Sequence, residues 1–500
     1  MNPEFNRPAA HTRMADRQSQ IHTTTIMKNT NDNSLSPTSI PRRSFVKTFV
    51  AAGTATVFAP QVLRAKPAGG DKVKLACCGI GNRGAEIIKE LHKTGLAEIV
   101  ALCDTDMGAP HTQGILKMFP DVPRFQDFRQ MFDKMGKDIE AVTAGTPDFA
   151  HFPIAMLAMS LGKHVYSEKP MGQSFREIQL MMDAEKKYKV AAQMGNQGHS
   201  EANYFQFKTW VEKGIIKDVT RITAFMNSKR RWHGMTVSDY LAKQPVPDTL
   251  DWDTWLGVQK FHEYNKGYIN GEWRSWFDFG NGALGDWGAH IFDTAHQFLN
   301  LGLPTEVEAV MLEGHNTFIF PQASTLAFRF PARGAMPPVE LTWYDGQKNL
   351  PPLPADMGGS VVDPNIPPPS TGQIDTKVRP PGKVIYSKDL IFKGGSHAST
   401  LEIIGEKGKD MKSKLPQVPK SPSNHFKNFL LACQGKETCR SSFAVAGPLC
   451  QAMSLGVIAQ RVNAKLAFDP ATRQITNHKV ANELLNGTPP RKEWEQFFKL

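Results

Sequence analysis

Residues Lys72–Asp104 read KVKLACCGIGNRGAEIIKELHKTGLAEIVALCD. The run KVKLACCGI is continuously apolar, as expected of a parallel strand buried on both faces. Gly79, Gly81 and Gly84 follow as G-x-G-x-x-G, then a helical pattern with Gly95 as its stop, then a second strand ending in Asp104. Each part has a mechanical reason. Gly79 permits a tight turn, Gly81 lets the backbone approach a pyrophosphate at the helix N-terminus, and Gly84 lets helix and strand pack closely. Asp104 is placed to accept hydrogen bonds from an adenosine ribose, and its charge favours NAD, with NADP possible where basic side chains stand nearby.

The alternation continues. DIEAVTAGTP reads as a strand, AHFPIAMLAMSLG as a helix, and KHVYSEKP as a strand running to Glu168, Lys169 and Pro170. SFREIQLMMDAEKKYK reads as a helix with Ser174 as its cap, and VAAQMGNQ as a last strand. This is a doubly wound sheet, with ligand expected beyond the carboxyl ends of its strands, where Thr146, His151, Lys169 and Asn196 lie. The expected nucleotide site is therefore Gly79, Ile80, Gly81, Asn82, Arg83, Gly84, Asp104, Thr146, His151, Glu168, Lys169 and Asn196.

Past Asn196 the pattern changes. VTRITAFMN, TEVEAVMLE, STLAFRF, PVELTWYD, LIFKGG and STLEIIGEKG read as strands. HFKNFLLACQG and AVAGPLCQAMSLGVIAQRVN read as helices that pack back on the body. Residues 349–384 are rich in proline and aperiodic, and read as a long surface loop inside this second domain.

The chain resembles the glucose–fructose oxidoreductase, inositol dehydrogenase and MocA group (Gfo/Idh/MocA). The residues that carry the likeness are GIGNRG, CDTD, TPDFAH, EKPMG, GNQGHS and GDWGAHIFD, in order. The resemblance implies an α/β protein: an N-terminal Rossmann domain, 71–194, and a C-terminal α/β domain, 195–500, on a large open, mostly antiparallel sheet. In the family that sheet often forms the subunit interface, so a homo-oligomer, dimer or tetramer, is expected. It also implies an NAD(P)-dependent oxidoreductase acting on a hydroxyl, with Lys169, Asp286 and His290 matching the family's catalytic lysine, aspartate and histidine.

The chemistry of those residues agrees. Asp286, His290 and Asp293 are spaced by four and three residues and share one stripe if the segment is helical. A carboxylate beside an imidazole orients the ring and raises its basicity, which suits a base taking a hydroxyl proton. Lys169 is placed to donate to the oxygen of an alcohol or ketone. His296 turns off the stripe, so no metal is assigned. Trp232, His233, Trp273, Arg274 and Trp276 flank the histidine. Flat rings beside polar donors suit a carbohydrate or polyol, and Trp232, Trp273, Arg274 and Asp293 are the expected substrate residues.

Upstream, Pro41–Val50 reads PRRSFVKTFV, and small residues follow. A basic pair before a short apolar run has the form of a twin-arginine signal, which addresses a folded protein to the export machinery. Residues 27–70 are read as this signal and a linker, and 1–26 as an extension or cloning remnant. The run is too short to span a membrane, and no other stretch reads as a span. A periplasmic or otherwise extracytoplasmic location follows. Outside the cytoplasm no nicotinamide pool is dependable, so the cofactor is expected to be trapped before export and recycled in place.

The net charge of +11 puts +6 in residues 1–66. The remainder has no basic block with interleaved aromatics, which argues against nucleic acid as a partner. The six cysteines form no CxxC pair, and Cys77, Cys78 and Cys103 sit in strand-like runs. Redox-neutral recycling leaves a second reading, a glycoside hydrolase or lyase that oxidises its substrate transiently. A non-catalytic carbohydrate-binding protein is a third.

Overall fold

The computed structural model describes residues 68–354 and 380–500. Arg42, Arg43 and most of the proline-rich stretch lie outside the described residues.

The opening stretch folds as its pattern dictates. Strand β1 (Val73–Cys78) is followed by the helix Asn82–Lys93, which buries Gly84, Ile87, Ile88 and Leu91 on one stripe. The helix gives way at Gly95, whose φ of +74° is open to glycine at little cost. Five more strands follow: β2 (Ala97–Cys103), β3 (Arg124–Phe125), β4 (Ala141–Ala144), β5 (His164–Ser167) and β6 (Ala192–Met194). They pair in parallel in the order β3-β2-β1-β4-β5-β6, the arrangement of a doubly wound nucleotide-binding sheet. Ser174 caps the helix Phe175–Tyr188 through a reciprocal capping box: its Oγ accepts from the Glu177 N–H, and Glu177 Oε2 accepts from the Ser174 N–H. The edge strand β3 is two residues long and leaves no periodic signal. β5 ends at Ser167, three residues short of the sequence expectation, because the chain turns into the cavity at Glu168.

The second sheet takes β7 (Val219–Met226), β8 (Glu306–Glu313), β9 (Ala323–Phe330), β10 (Val339–Asp345), β11 (Gly382–Ser387), β12 (Ile391–Gly395), β13 (Glu402–Ile404), β14 (Lys465–Asp469) and β15 (Gln474–Ile475). Among the described residues these nine run β13-β12-β11-β7-β10-β9-β8-β14-β15, antiparallel throughout except for the parallel pair β7–β10. β11 begins inside the stretch read as loop. Its Lys383–Ile385 segment is buried between β7 and β12, an environment local composition does not announce.

Two C-terminal helices tie the halves together. His425–Cys433 sends Phe426, Phe429, Leu430 and Cys433 into a core shared with Val73, Leu75, Ile87 and Leu91. Phe443–Val462 packs on both Phe175–Tyr188 and the helix Gly282–Ile291. At 20 residues it is long and apolar enough to cross a membrane, which corrects the expectation that no other stretch approaches a span. Most of it is buried inside the fold, as a core helix is. Cys77, Cys78 and Cys103 are buried in β1 and β2, where the apolar runs placed them.

Candidate active site

A cavity of about 470 Å³ opens at the carboxyl ends of β1, β2, β4 and β5 and is closed by the second domain. Its nucleotide end is built by the glycine loop. Gly79 has φ +75°, and a Cβ on Gly84 would stand 1.9 Å from the Gly79 carbonyl oxygen, so only glycine lets helix and strand approach this closely. Asp104 Oδ2 accepts the Ile80 N–H at 2.9 Å and Oδ1 accepts the Asp106 N–H at 3.1 Å. A carboxylate has lone pairs to spare beyond these two bonds. Burial pushes the Asp104 carboxyl above its ordinary range. Thr146, in the same wall, carries a buried hydroxyl with no partner among the described residues. A glycine-lined mouth, a carboxylate at the end of β2 and an orphaned hydroxyl fit a dinucleotide.

At the other end Lys169 leaves the end of β5 and reaches the helix Gly282–Ile291. Its Nζ donates to the Asp286 carbonyl at 2.8 Å and to Asp286 Oδ1 at 2.5 Å. Arg230 donates to the other carboxylate oxygen. Burial alone would raise the Asp286 carboxyl, but Lys169, Arg230 and Arg274 together hold it well below the usual range. Arg83 bonds Glu168 at 3.0 Å. Arg274 lies over the Trp273 ring, 4.1 Å from its centroid.

Asp286 makes no bond to His290, contrary to the expectation from their spacing. Two cations stand closer to the carboxylate, and it turns to them. The imidazole of His290 instead stacks on His397, ring centroids 3.9 Å apart and planes 17° from parallel. Its Nδ1 is buried without a partner among the described residues. Burial, the neighbouring His397 and Lys169 hold it well below the ordinary histidine range, which favours the neutral imidazole. His397 is likewise pushed down to about 4, chiefly by burial.

Of the expected site residues, Gly79, Gly81, Asn82, Arg83, Asp104, Thr146, His151, Glu168, Lys169, Trp273, Arg274, Asp286 and His290 line the cavity. The others do not. Ile80 and Gly84 pack behind the loop. Asn196 and Asp293 belong to a buried network: Ser441 Oγ donates to Asn196 Oδ1, and Asp293 Oδ2 lies 2.9 Å from His199 Nδ1. The helix breaks at Phe292, so Asp293 opens a second short helix and leaves the stripe predicted for it. Trp232 is core, its indole N–H donating to the Pro321 carbonyl, and Trp276 does the same to Gly267. His233 Nδ1 accepts the Arg230 N–H and His296 faces the Gly302 carbonyl. Sequence reasoning missed Arg230, Arg231, His111, Trp287 and His397. The RR pair at 230 and the histidine after Gly394-Gly395-Ser396 were the available signals.

Two comparisons bear on the family. Residues 73–196 match the oxidoreductase family's NAD-binding Rossmann fold, and 205–317 match its C-terminal alpha/beta domain. The chain is 27% identical over 181 residues to the inositol 2-dehydrogenase of Salmonella typhimurium, 36% of this chain and 51% of that one. It is 27% identical over 216 residues to a glycosyl hydrolase family 109 protein of Shewanella pealeana, 38% of this chain and 47% of that one. The chain thus spans about half the length of the curated relatives it matches. The WlbA dehydrogenase from Chromobactrium violaceum, solved with NADH and UDP-GlcNAcA, superposes with a TM-score of 0.53 at 14% identity. That likeness covers 81% of this chain and 98% of that one, and it shows the shared fold. With both domain signatures in order on a Rossmann sheet followed by a large mixed sheet, the chain belongs to the Gfo/Idh/MocA oxidoreductase family, and its first domain is an NAD-binding Rossmann fold.

Proposed function

We propose that this protein is an NAD(P)-dependent oxidoreductase acting on a hydroxyl of a sugar, polyol or glycoside. One observation carries the reading: the Lys169 ammonium and the neutral His290 imidazole face the same cavity as the glycine loop. When bound, the nicotinamide ring supplies a two-electron acceptor for a hydride. The protein's own residues manage the proton and the oxygen. His290 takes the hydroxyl proton, and Lys169 donates to the same oxygen as it becomes a carbonyl. Asp286 touches neither and positions Lys169. The Trp273 face with Arg274 above it offers an apolar ring surface and donors to a carbohydrate.

The arginine pair Arg42–Arg43 supports export to an extracytoplasmic compartment with the nucleotide held and recycled in place. The mostly antiparallel sheet, with Val310 and Met311 exposed on β8, supports association through that sheet. A transient-oxidation glycosidase is the second reading, favoured by the Shewanella relative. The test is to denature the purified protein, identify the released small molecule by mass and absorbance, and screen free sugars and glycosides without added nucleotide. Release of NAD(H) and turnover on a carbohydrate are expected. A protein that binds neither NAD nor NADP would overturn the reading.

A further inference from the structure

His397 lies outside both domain matches and enters the cavity from the hairpin after β12. Its backbone has φ +51°, a conformation that a non-glycine residue adopts at a cost and keeps only where its surroundings enforce it. The enforcement is visible. The His397 N–H donates to the His290 carbonyl at 2.9 Å, and the Ser399 N–H donates to the Ser396 carbonyl at 3.0 Å. Ser396 Oγ, fully buried, lies 3.0 Å from His397 Nδ1. A Cβ on Gly198 would stand 2.9 Å from the His397 carbonyl oxygen, so glycine there admits the hairpin. Trp287 closes edge-on against both imidazoles, at 5.6 Å to His397 and 6.4 Å to His290. The buried Trp287 indole N–H has no partner among the described residues. Serine occupies Nδ1 of His397, which leaves Nε2 for a ligand.

We infer that His397 is a second proton-transfer residue, taking a proton from the carbon beside the one that His290 helps to oxidise. Two stacked imidazoles line one cavity, and a single alcohol oxidation uses only one base. The second base suits a substrate whose new ketone makes the adjacent C–H acidic, the chemistry of a glycoside. That C–H bond breaks, its proton goes to Nε2 of His397, and its electron pair forms the carbon–carbon double bond of an enolate. The carbonyl π pair moves to the oxygen beside the Lys169 ammonium. The ketone comes from the oxidation proposed above, with oxidised nicotinamide as electron acceptor, so the inference rests on that reading.

The test uses the full chain loaded with NAD and incubated in deuterium oxide with methyl and aryl glycosides. Two readings are taken: the absorbance of reduced nicotinamide in a single turnover, and deuterium entering the substrate beside the oxidised carbon. The variants are His397→Asn, which tolerates positive φ, and His397→Gly, which adopts it freely. Both are expected to keep hydride transfer within a few-fold and to lose deuterium entry by about 10²–10⁴-fold. Added imidazole is expected to restore exchange in His397→Gly, which a merely structural role would not produce. Unchanged exchange in both variants, loss of both readings in parallel without rescue, or a wild type that transfers hydride without exchange would each overturn the inference. A wild type that reduces no nucleotide with any carbohydrate would instead overturn the proposed function.

Discussion

Lys169 Nζ bonds the carbonyl and the carboxylate of Asp286 at once, at 2.8 and 2.5 Å, so one ammonium straps the end of the first sheet to the helix that carries His290. The carboxylate is shared with Arg230, which is buried. Its role is to neutralise two cations in a closed site, and the imidazole four residues on is left to other neighbours.

Asp286→Asn therefore leaves Arg230 buried beside a neutral amide. Removing one partner of a buried ion pair costs about 3–5 kcal/mol. The expected outcome is a marked loss of stability in denaturant unfolding, together with loss of activity. A variant as stable as wild type, with only a shifted pH profile, would place the carboxylate with His290 instead.

His290→Ala should lose about 10²–10⁴-fold in rate while still holding nucleotide, since the residue stands away from the glycine loop. The pH profile carries a sign. The folded histidine is held well below its ordinary 6.5, so the neutral base persists as pH falls through that value. The rate should stay level across pH 6.5 and drop only well below it. An inflection at 6.5 itself would show that another group is titrating.

Gly84→Ala and Gly95→Ala separate two demands on glycine. At Gly84 the added carbon meets the Gly79 carbonyl at 1.9 Å, so the nucleotide loop must move. Overpacking of this kind costs about 1–3 kcal/mol, and nucleotide should be lost with it. At Gly95 nothing stands within 4 Å and the strain is the positive φ alone. That costs about 1–2 kcal/mol with nucleotide retained. Thermal melts with and without NAD measure both.

Glu177 tests burial inside a capping box. Burial pushes its carboxyl up to about 7 from 4.5, against the pull of the Ser174 and Gln173 N–H groups. A raised folded value means the stabilising protonated form is complete below 4.5 and is lost as pH rises through about 7. Glu177→Gln keeps an acceptor for both N–H groups and does not ionise. Its stability relative to wild type should improve as pH rises across that window, by about 1.4 kcal/mol per pH unit at most. A difference that stays constant with pH would remove the account.

The first sheet was legible because its signals are local. A glycine loop, an apolar strand and an acid at a strand end read the same in one dimension as in three, and the cavity gathers them as expected. The failures share a different cause. Asp286 and His290 were paired by helical spacing, but spacing says nothing of the cations that arrive from residues 169 and 230. Asp293 was lost to a helix break at Phe292 that no proline or polar cap announces. Trp232 and Trp276 look identical to Trp273 in sequence and all three are buried; only the placing of the cavity beside Trp273 separates it from the other two. His397 needed the fold of a sheet more than 100 residues further along to bring it over His290.

The helix His425–Cys433 closes the apolar face of the domain that begins at Val73. A ribosome emits β1 long before it emits Phe426, so the nucleotide-binding half leaves the exit tunnel with one side uncovered. Domains ordinarily finish in the order they are translated. Here the first domain must wait for the last hundred residues, and a chain cut short by early termination or a nick before residue 425 would present raw hydrophobic surface to chaperones and proteases.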